Sequence, residues 1–165
     1  MTSDSITQEK ISNYIDDQIF EVELIESDEG TRDFLYDVST SRGSARVAKL
    51  KPKDVVVLTT SMTVEDSLRE FDALHEETKD EIDRSIRRLL RTFEGTFRYV
   101  NPQGEIAEFD ELHRLSIEKI LYPEIDRQEL NHSLLSVIRH IDAVGALVES
   151  YLSVGEERGF GAGEI

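Results

Sequence analysis

The chain has 165 residues, 35 acidic and 19 basic, and a net charge of -16 at pH 7. The absence of cysteine excludes disulfides, thiolate metal sites and thiol catalysis. The chain does not begin with the basic and apolar segments of a signal peptide, and no apolar stretch reaches the ~20 residues that span a bilayer. We therefore expect a cytoplasmic protein that is not inserted in a membrane.

The acidic excess also bears on the environment. Thirteen of the bases are arginine and six are lysine. Repulsion among the acids opposes compactness in dilute salt, but at ~1 M salt the Debye length falls to about 3 Å and screens it. The composition therefore favours a halophilic cytoplasm, with an acidic, arginine-rich mesophilic protein as the alternative.

The chain opens with a predicted helix from about Thr7 to Gln18. This helix is predicted by apolar residues at helical spacing: Ile6, Ile11, Tyr14 and Ile15. A strand with one solvated face follows, because apolar and acidic residues then alternate: Phe20, Glu21, Val22, Glu23 and Leu24. A turn at Asp28-Glu29-Gly30 leads into a second strand over Asp33–Ser39.

The middle of the chain is predicted as one more strand and a charged helix. Thr40–Leu50 lacks a clear period and is interpreted as a loose connection, whereas the β-branched run Val55–Thr60 predicts a central strand buried on both faces. Helical spacing then extends from Val64 to Phe93, although the segment between Leu74 and Ile82 is wholly polar. This region is therefore either two helices or one helix that extends into solvent.

The last part is predicted to contain two strands and a closing helix. Phe97–Val100 forms a strand before the Asn101–Gly104 turn, and a returning strand reaches Tyr122. An apolar helix from about Asp126 to Leu152 ends a single α+β domain over residues 1–154. Residues 155–165, with four glycines and no period, predict a flexible tail.

The predicted order α-β-β-β-α-β-β-α describes an α+β fold with an antiparallel-rich sheet. This order resembles that of an archaeal family of uncharacterised proteins with a type III secretion chaperone-like fold. The segments that carry the resemblance are Val55–Leu58, Ile86–Leu90, Phe97–Val100 and Ile120–Tyr122. The resemblance covers roughly residues 6–152. It implies a small, often dimeric, non-catalytic domain that binds another polypeptide, and it supplies no functional residues.

Four histidines are the candidates for catalysis or metal binding: His75, His113, His132 and His140. Asp72 with His75 and Glu129 with His132 have the i, i+3 spacing of di-iron bundles, but the other inward carboxylates of such a site are not evident. No hydrolytic triad can be identified, and the glycines of 159–163 follow the last element, where they cannot form a phosphate loop. We therefore predict no catalytic residue, no cofactor and no metal.

A possible basic patch consists of Arg42, Arg46, Lys49, Lys51 and Lys53. Residues 31–60 contain six bases and three acids, which indicates a surface for phosphate or for an acidic partner. The alternative is that these bases face the acids of residues 1–30, which contain nine acids and one base. We favour the alternative, because the net charge would repel nucleic acid at low salt.

The closing helix has apolar residues around more of its circumference than one sheet should cover. We therefore predict an interface at Ile138, Ile141, Val144, Leu147 and Val148, through which the chain meets a second copy or a partner helix. The predicted function is a non-enzymatic interaction module, chaperone-like or adaptor, acting as a homodimer. The alternatives are a small enzyme with a site in a dimer groove and an acidic nucleic-acid-associated regulator.

Overall fold

Three α-helices and seven strands form the described part of the chain, which in this computed structural model comprises residues 5–29, 32–51, 53–63 and 73–161. The helices are α1 (Gln8–Tyr14), α2 (Glu76–Leu89) and α3 (Arg127–Gly161). The strands are β1 (Glu21–Glu29), β2 (Arg32–Thr40), β3 (Gly43–Leu50), β4 (Val56–Thr63), β5 (Thr96–Val100), β6 (Ile106–Ala107) and β7 (Arg114–Leu121).

The strands form one sheet in the order β1-β2-β3-β4-β7-β5-β6. Four neighbouring pairs, β1/β2, β2/β3, β3/β4 and β5/β6, are antiparallel. This architecture confirms the predicted α+β class and antiparallel-rich sheet. The order of elements differs in detail, because four strands rather than three precede α2.

The additional strand is β3, where the sequence predicted a loose connection. Arg42 lies in the turn that joins β2 to β3, and its backbone N–H donates to Thr40 Oγ1 at 3.2 Å. Along β3, Ala45 and Val47 are buried while Arg46 between them is exposed. The period of two is therefore present, but alanine carries too little apolar surface for the pattern to stand out in the sequence.

The segment after β5 also differs from the prediction. Asn101 Oδ1 accepts hydrogen bonds from the backbone N–H groups of Gln103 and Glu105, and Gly104 adopts a φ of 84°, which favours glycine. The sequence predicted a single returning strand here. The structure instead has three elements in this segment: the short strand β6, a 3₁₀ helix over Phe109–Glu111, and strand β7.

Helix α2 begins at Glu76, directly after His75, inside the polar segment between Leu74 and Ile82. Its buried side chains are Ile82 and Ile86, and a 3₁₀ turn follows at its C-terminal end. The predicted helical residues 64–72 lie outside the described part of the chain. The described helix therefore begins after the first apolar group, at the place where the spacing is interrupted.

Helix α3 begins where the sequence predicted, because Asp126 Oδ1 accepts the Glu129 backbone N–H at 2.7 Å and caps its first turn. It continues to Gly161 rather than ending near Leu152, so residues 155–161 of the predicted tail are helical. Residues 162–165 lie outside the described part. At the other end of the chain, α1 stops at Tyr14 instead of Gln18.

The chain divides into two compact units, which we describe separately. The first comprises Met1–Thr60, Glu94–Thr96 and Ile117–Arg139. Its core includes Ile11, Phe34, Val38, Val47, Leu58, Ile117, Leu130, Leu134 and Ile138. The second comprises Ser61–Phe93, Phe97–Ser116 and His140–Ile165. Its core includes Ile82, Ile86, Tyr99, Phe109, Leu115, Val144 and Val148.

Candidate interaction surface

The residues of the predicted basic patch do not form one cationic surface. Lys49 forms an ion pair with Asp33, and Lys51 Nζ lies 4.0 Å from the same carboxylate. Arg46 is opposite Asp37 in the β2/β3 register. Asp33, the acidic partner of Lys49 and Lys51 in these contacts, lies on β2, whereas the favoured interpretation placed the partners on the first helix and the first strand.

The remaining two bases, Arg42 and Lys53, are exposed. Arg42 precedes β3 and Lys53 follows it. Because a strand rises ~3.3 Å per residue and successive side chains point to opposite faces, β3 distributes the bases along its length and over both faces.

The residues of the predicted interface are mostly covered within the single chain. Ile138, Ile141, Val144 and Val148 are buried, and Leu147 has intermediate exposure. The premise that α3 carries uncovered apolar surface at these four positions is therefore wrong. A sequence shows that a helix is apolar on several sides, but it does not show how many neighbours will cover those sides.

Gly145 of α3 lies close to Met62 on β4, within the second unit. A Cβ added to Gly145 of α3 would lie 3.4 Å from Met62 Sδ. Gly145 therefore packs against a side chain of the same chain.

The four candidate histidines differ in exposure, and His113 and His140 are only partly exposed. His75 and His132 are exposed, and Glu129 beside His132 is exposed as well. The His140 ring lies 5.1 Å from the Phe93 ring, centroid to centroid. Asp72 lies outside the described residues, and within them no group of three or more acidic or histidine side chains could hold a metal ion.

The second unit contains a polar cluster around Asp83. Asp83 Oδ1 accepts hydrogen bonds from Tyr99 Oη at 2.6 Å and from Arg87 Nε at 2.9 Å. The Arg87 guanidinium lies 5.6 Å from the Phe97 ring and 5.5 Å from the Tyr99 ring. Burial, and then the hydrogen bond to Asp83, raise the Tyr99 pKa far above its ordinary value. These hydrogen bonds and ring contacts join α2 to β5 within the second unit.

A run of exposed residues that includes three large apolar side chains lies on β1, at one end of the sheet. Five consecutive residues of β1 are exposed, and we call them the β1 edge: Glu21, Val22, Glu23, Leu24 and Ile25. Val22 is 40% exposed, Leu24 44% and Ile25 45%. Among the described residues β1 has one neighbour in the sheet, β2. Its other side therefore presents backbone groups that no described strand pairs with.

The apolar side of the β1 edge continues a row of core residues. Leu24 is opposite Tyr36, Tyr36 is opposite Val47, and Val47 is opposite Leu58. The three inner residues are buried, whereas Leu24 is not. A second row consists of Val22, Val38 and Ala45, and here too the inner two residues are buried whereas Val22 is exposed. Both apolar rows therefore end at an exposed residue, where another strand could extend them.

The opposite side of the β1 edge is acidic. Glu23 is opposite Asp37, which in turn is opposite Arg46 on β3. Glu21 is opposite Ser39. The register shifts between Leu24 and Glu26, so Ile25 lies at a bulge without a partner on β2. The β1 edge thus has an apolar face, an acidic face and an irregularity at its far end.

The sequence predicts this strand but does not identify it as a surface. The alternation of Val22 and Leu24 with Glu21 and Glu23 indicates one apolar and one solvated face. It carries no information on whether the strand lies at the centre or at the end of a sheet. That position depends on the strand order, which only the structure gives.

No helix in the described ranges has both the length and the apolar composition that a membrane crossing requires. Comparison with protein-family models and with curated proteins gives no match. Among solved structures, the chain is similar to an uncharacterized protein from Methanothermobacter thermautotrophicus. The TM-score is 0.71 at 17% identity, over 88% of this chain and 99% of that chain. This likeness shows a shared fold, and it is compatible with the archaeal family that the sequence resembles.

Proposed function

We propose that this protein is a non-enzymatic interaction module, chaperone-like or adaptor, which acts in the cytoplasm and binds another polypeptide at the β1 edge. The observation that carries the proposal is the run of five exposed residues on a strand at the end of the sheet. An unpaired strand edge is a template for an added strand, and several peptide-binding domains recognise their ligands in this way.

The apolar rows support this role over that of a merely protected edge. Folded proteins blunt their sheet edges with charges and bulges, and the β1 edge has both in Glu21, Glu23 and the register shift beside Ile25. Such protection does not require exposed apolar side chains, yet Val22 and Leu24 extend the buried rows to the surface. An added strand would bury both of them at a gain of roughly 25 cal/mol per Å² of apolar area.

The homodimer and the type III secretion chaperone-like fold remain parts of the proposal. A dimer through α3 would need residues other than the four buried ones, and Leu147 is the predicted interface residue that retains exposure. The similar archaeal structure supports the α+β architecture alone.

Affinity purification from the native host tests the proposal with a matched pair of variants. Leu24 on β1 and Ile120 on β7 are 44% and 45% exposed, so serine removes a similar exposed apolar side chain at either position. We expect the wild type and Ile120→Ser to retain the same polypeptide and Leu24→Ser to lose it. Equal retention by all three proteins, or no specific retention by the wild type, would contradict the proposal.

A further inference from the structure

The charge of the β1 edge restricts the strand that could pair with it. From Asp16 to Glu29 the sequence contains seven acidic residues and no basic one, although the whole chain has 19 bases. Glu21 and Glu23 lie on one face of the β1 edge and are both exposed. An incoming strand would therefore place its own side chains directly opposite two carboxylates.

A second copy of this strand fits the position poorly. Paired β1 strands would bring the carboxylates of Glu21 and Glu23 from both chains onto the same face of the extended sheet. Like charges directly opposite each other destabilise a strand pair, whereas opposite charges stabilise it. The edge thus disfavours self-association and favours a strand with bases on this face.

The other face adds a second requirement. Val22 and Leu24 end rows whose inner members, Val38 and Tyr36, are buried. A residue placed opposite Val22 or Leu24 would continue such a row, and an apolar side chain there would lose the least solvation. Because successive side chains of a strand alternate between faces, the two requirements apply to alternate residues of one partner strand.

From these two faces we infer that the partner is an extended segment of another protein in which apolar residues alternate with lysine or arginine. The apolar residues lie over Val22 and Leu24, and the bases lie over Glu21 and Glu23. The segment adds to the sheet as a strand beside β1. This inference rests on the proposed function and specifies the chemistry of the ligand at the same surface.

Synthetic peptides of about seven residues test the inference on the full chain by isothermal titration. In one peptide valine alternates with lysine, in a second with glutamate and in a third with serine. A fourth has the composition of the first with its lysines in one block, which measures non-specific attraction to an acidic protein. We expect the alternating lysine peptide to bind at least about tenfold more tightly than each of the other three.

Charge reversal provides the decisive variant. Glu21→Lys with Glu23→Lys should reverse the preference, so that the alternating glutamate peptide binds more tightly than the alternating lysine peptide. Glu108→Lys with Glu111→Lys changes the net charge equally at two exposed positions outside β1 and should leave the preference unchanged. Leu24→Ser should weaken binding of the lysine peptide.

Three results would overturn the inference. Equal binding of the lysine, glutamate and serine peptides would remove the charge requirement while leaving the β1 edge as the binding surface. Equal binding of the alternating and block peptides would show attraction without strand pairing. If sedimentation shows that the wild type is a dimer and that Leu24→Ser is a monomer, a second copy of the chain occupies the β1 edge. The affinity purification judges the proposed function separately, because it uses no synthetic peptide.

Discussion

The side-chain amide of Asn131 on α3 donates a hydrogen bond of 2.7 Å to the backbone carbonyl of Tyr14, the last residue of α1. The same amide nitrogen donates to the Arg127 carbonyl, and Asn131 Oδ1 accepts the Asp16 backbone N–H at 2.9 Å. One side chain therefore satisfies a carbonyl at the end of α1 and an N–H just beyond it. This explains why α1 stops at Tyr14, and it fixes α1 against α3 within the first unit.

Replacing Asn131 by alanine should lower the free energy of unfolding by about 1 to 3 kcal/mol, because part-buried backbone groups lose their partners. Chemical denaturation of the purified variant measures this loss. Gln128→Ala, at an exposed position of the same helix, is the control and should change stability by no more than about 0.5 kcal/mol. Equal stability of both variants would contradict a structural role for the Asn131 hydrogen bonds.

The hydrogen bond between Tyr99 and Asp83 gives a second prediction. Tyr99→Phe should lower the free energy of unfolding at neutral pH by about 1.5 to 3 kcal/mol, since the bond has a charged acceptor. Denaturation at pH 7 measures the effect. Tyr122→Phe is the control, because Tyr122 is exposed, and it should be close to neutral.

The pH dependence follows from the raised pKa of Tyr99. Above the ordinary tyrosine pKa of about 10, the unfolded chain releases this proton while the folded chain retains it. The Tyr99 hydroxyl therefore contributes fully to stability below about pH 10, and this contribution is lost as the pH rises further. The wild type should lose more stability than Tyr99→Phe between pH 9 and 11, and parallel curves would contradict the assignment.

Ser133 on α3 is fully buried, and its hydroxyl has no hydrogen-bond partner among the described residues. An unpaired buried hydroxyl is costly, and alanine has the higher helix propensity. Ser133→Ala should therefore raise the free energy of unfolding by about 0.5 to 1.5 kcal/mol. Ser150→Ala, which removes an exposed hydroxyl bonded to the Leu147 carbonyl, is the comparison and should gain less. A loss of stability in Ser133→Ala would disprove the account.

Salt dependence tests the environment predicted from composition. With 35 acids and 19 bases, the melting temperature should rise as potassium chloride increases into the molar range, because screening weakens the repulsion. Thermal melts monitored by circular dichroism measure it. A melting temperature that stays constant or falls with added salt would contradict a halophilic environment.

Sequence reasoning succeeded where local chemistry decides the structure. The β-branched run around Val57 predicted a strand buried on both faces, and Val56, Val57 and Leu58 are buried in β4 between β3 and β7. Asp126 marked the start of α3 correctly, because its cap involves only neighbouring residues. Strand β3 was missed, since Ala45 and Val47 give a weak alternating signal.

The candidate surface could not be predicted in the same way. The burial of Ile138 and Val144 depends on residues distant in sequence, so the spacing of apolar residues on α3 could not show that these two are covered within the chain. The exposure of Leu24 depends on β1 lying last in the strand order. Neither property is encoded in the spacing of nearby residues, and both require the tertiary structure.

Hydrogen exchange tests the central claim, that the β1 edge is the binding surface, most directly. Exchange is measured by mass spectrometry on the full chain alone and with the polypeptide recovered by affinity purification, at the salt concentration where the protein is most stable. The account predicts that binding slows exchange most strongly over residues 21–25. Slower exchange elsewhere, with residues 21–25 unchanged, would contradict it.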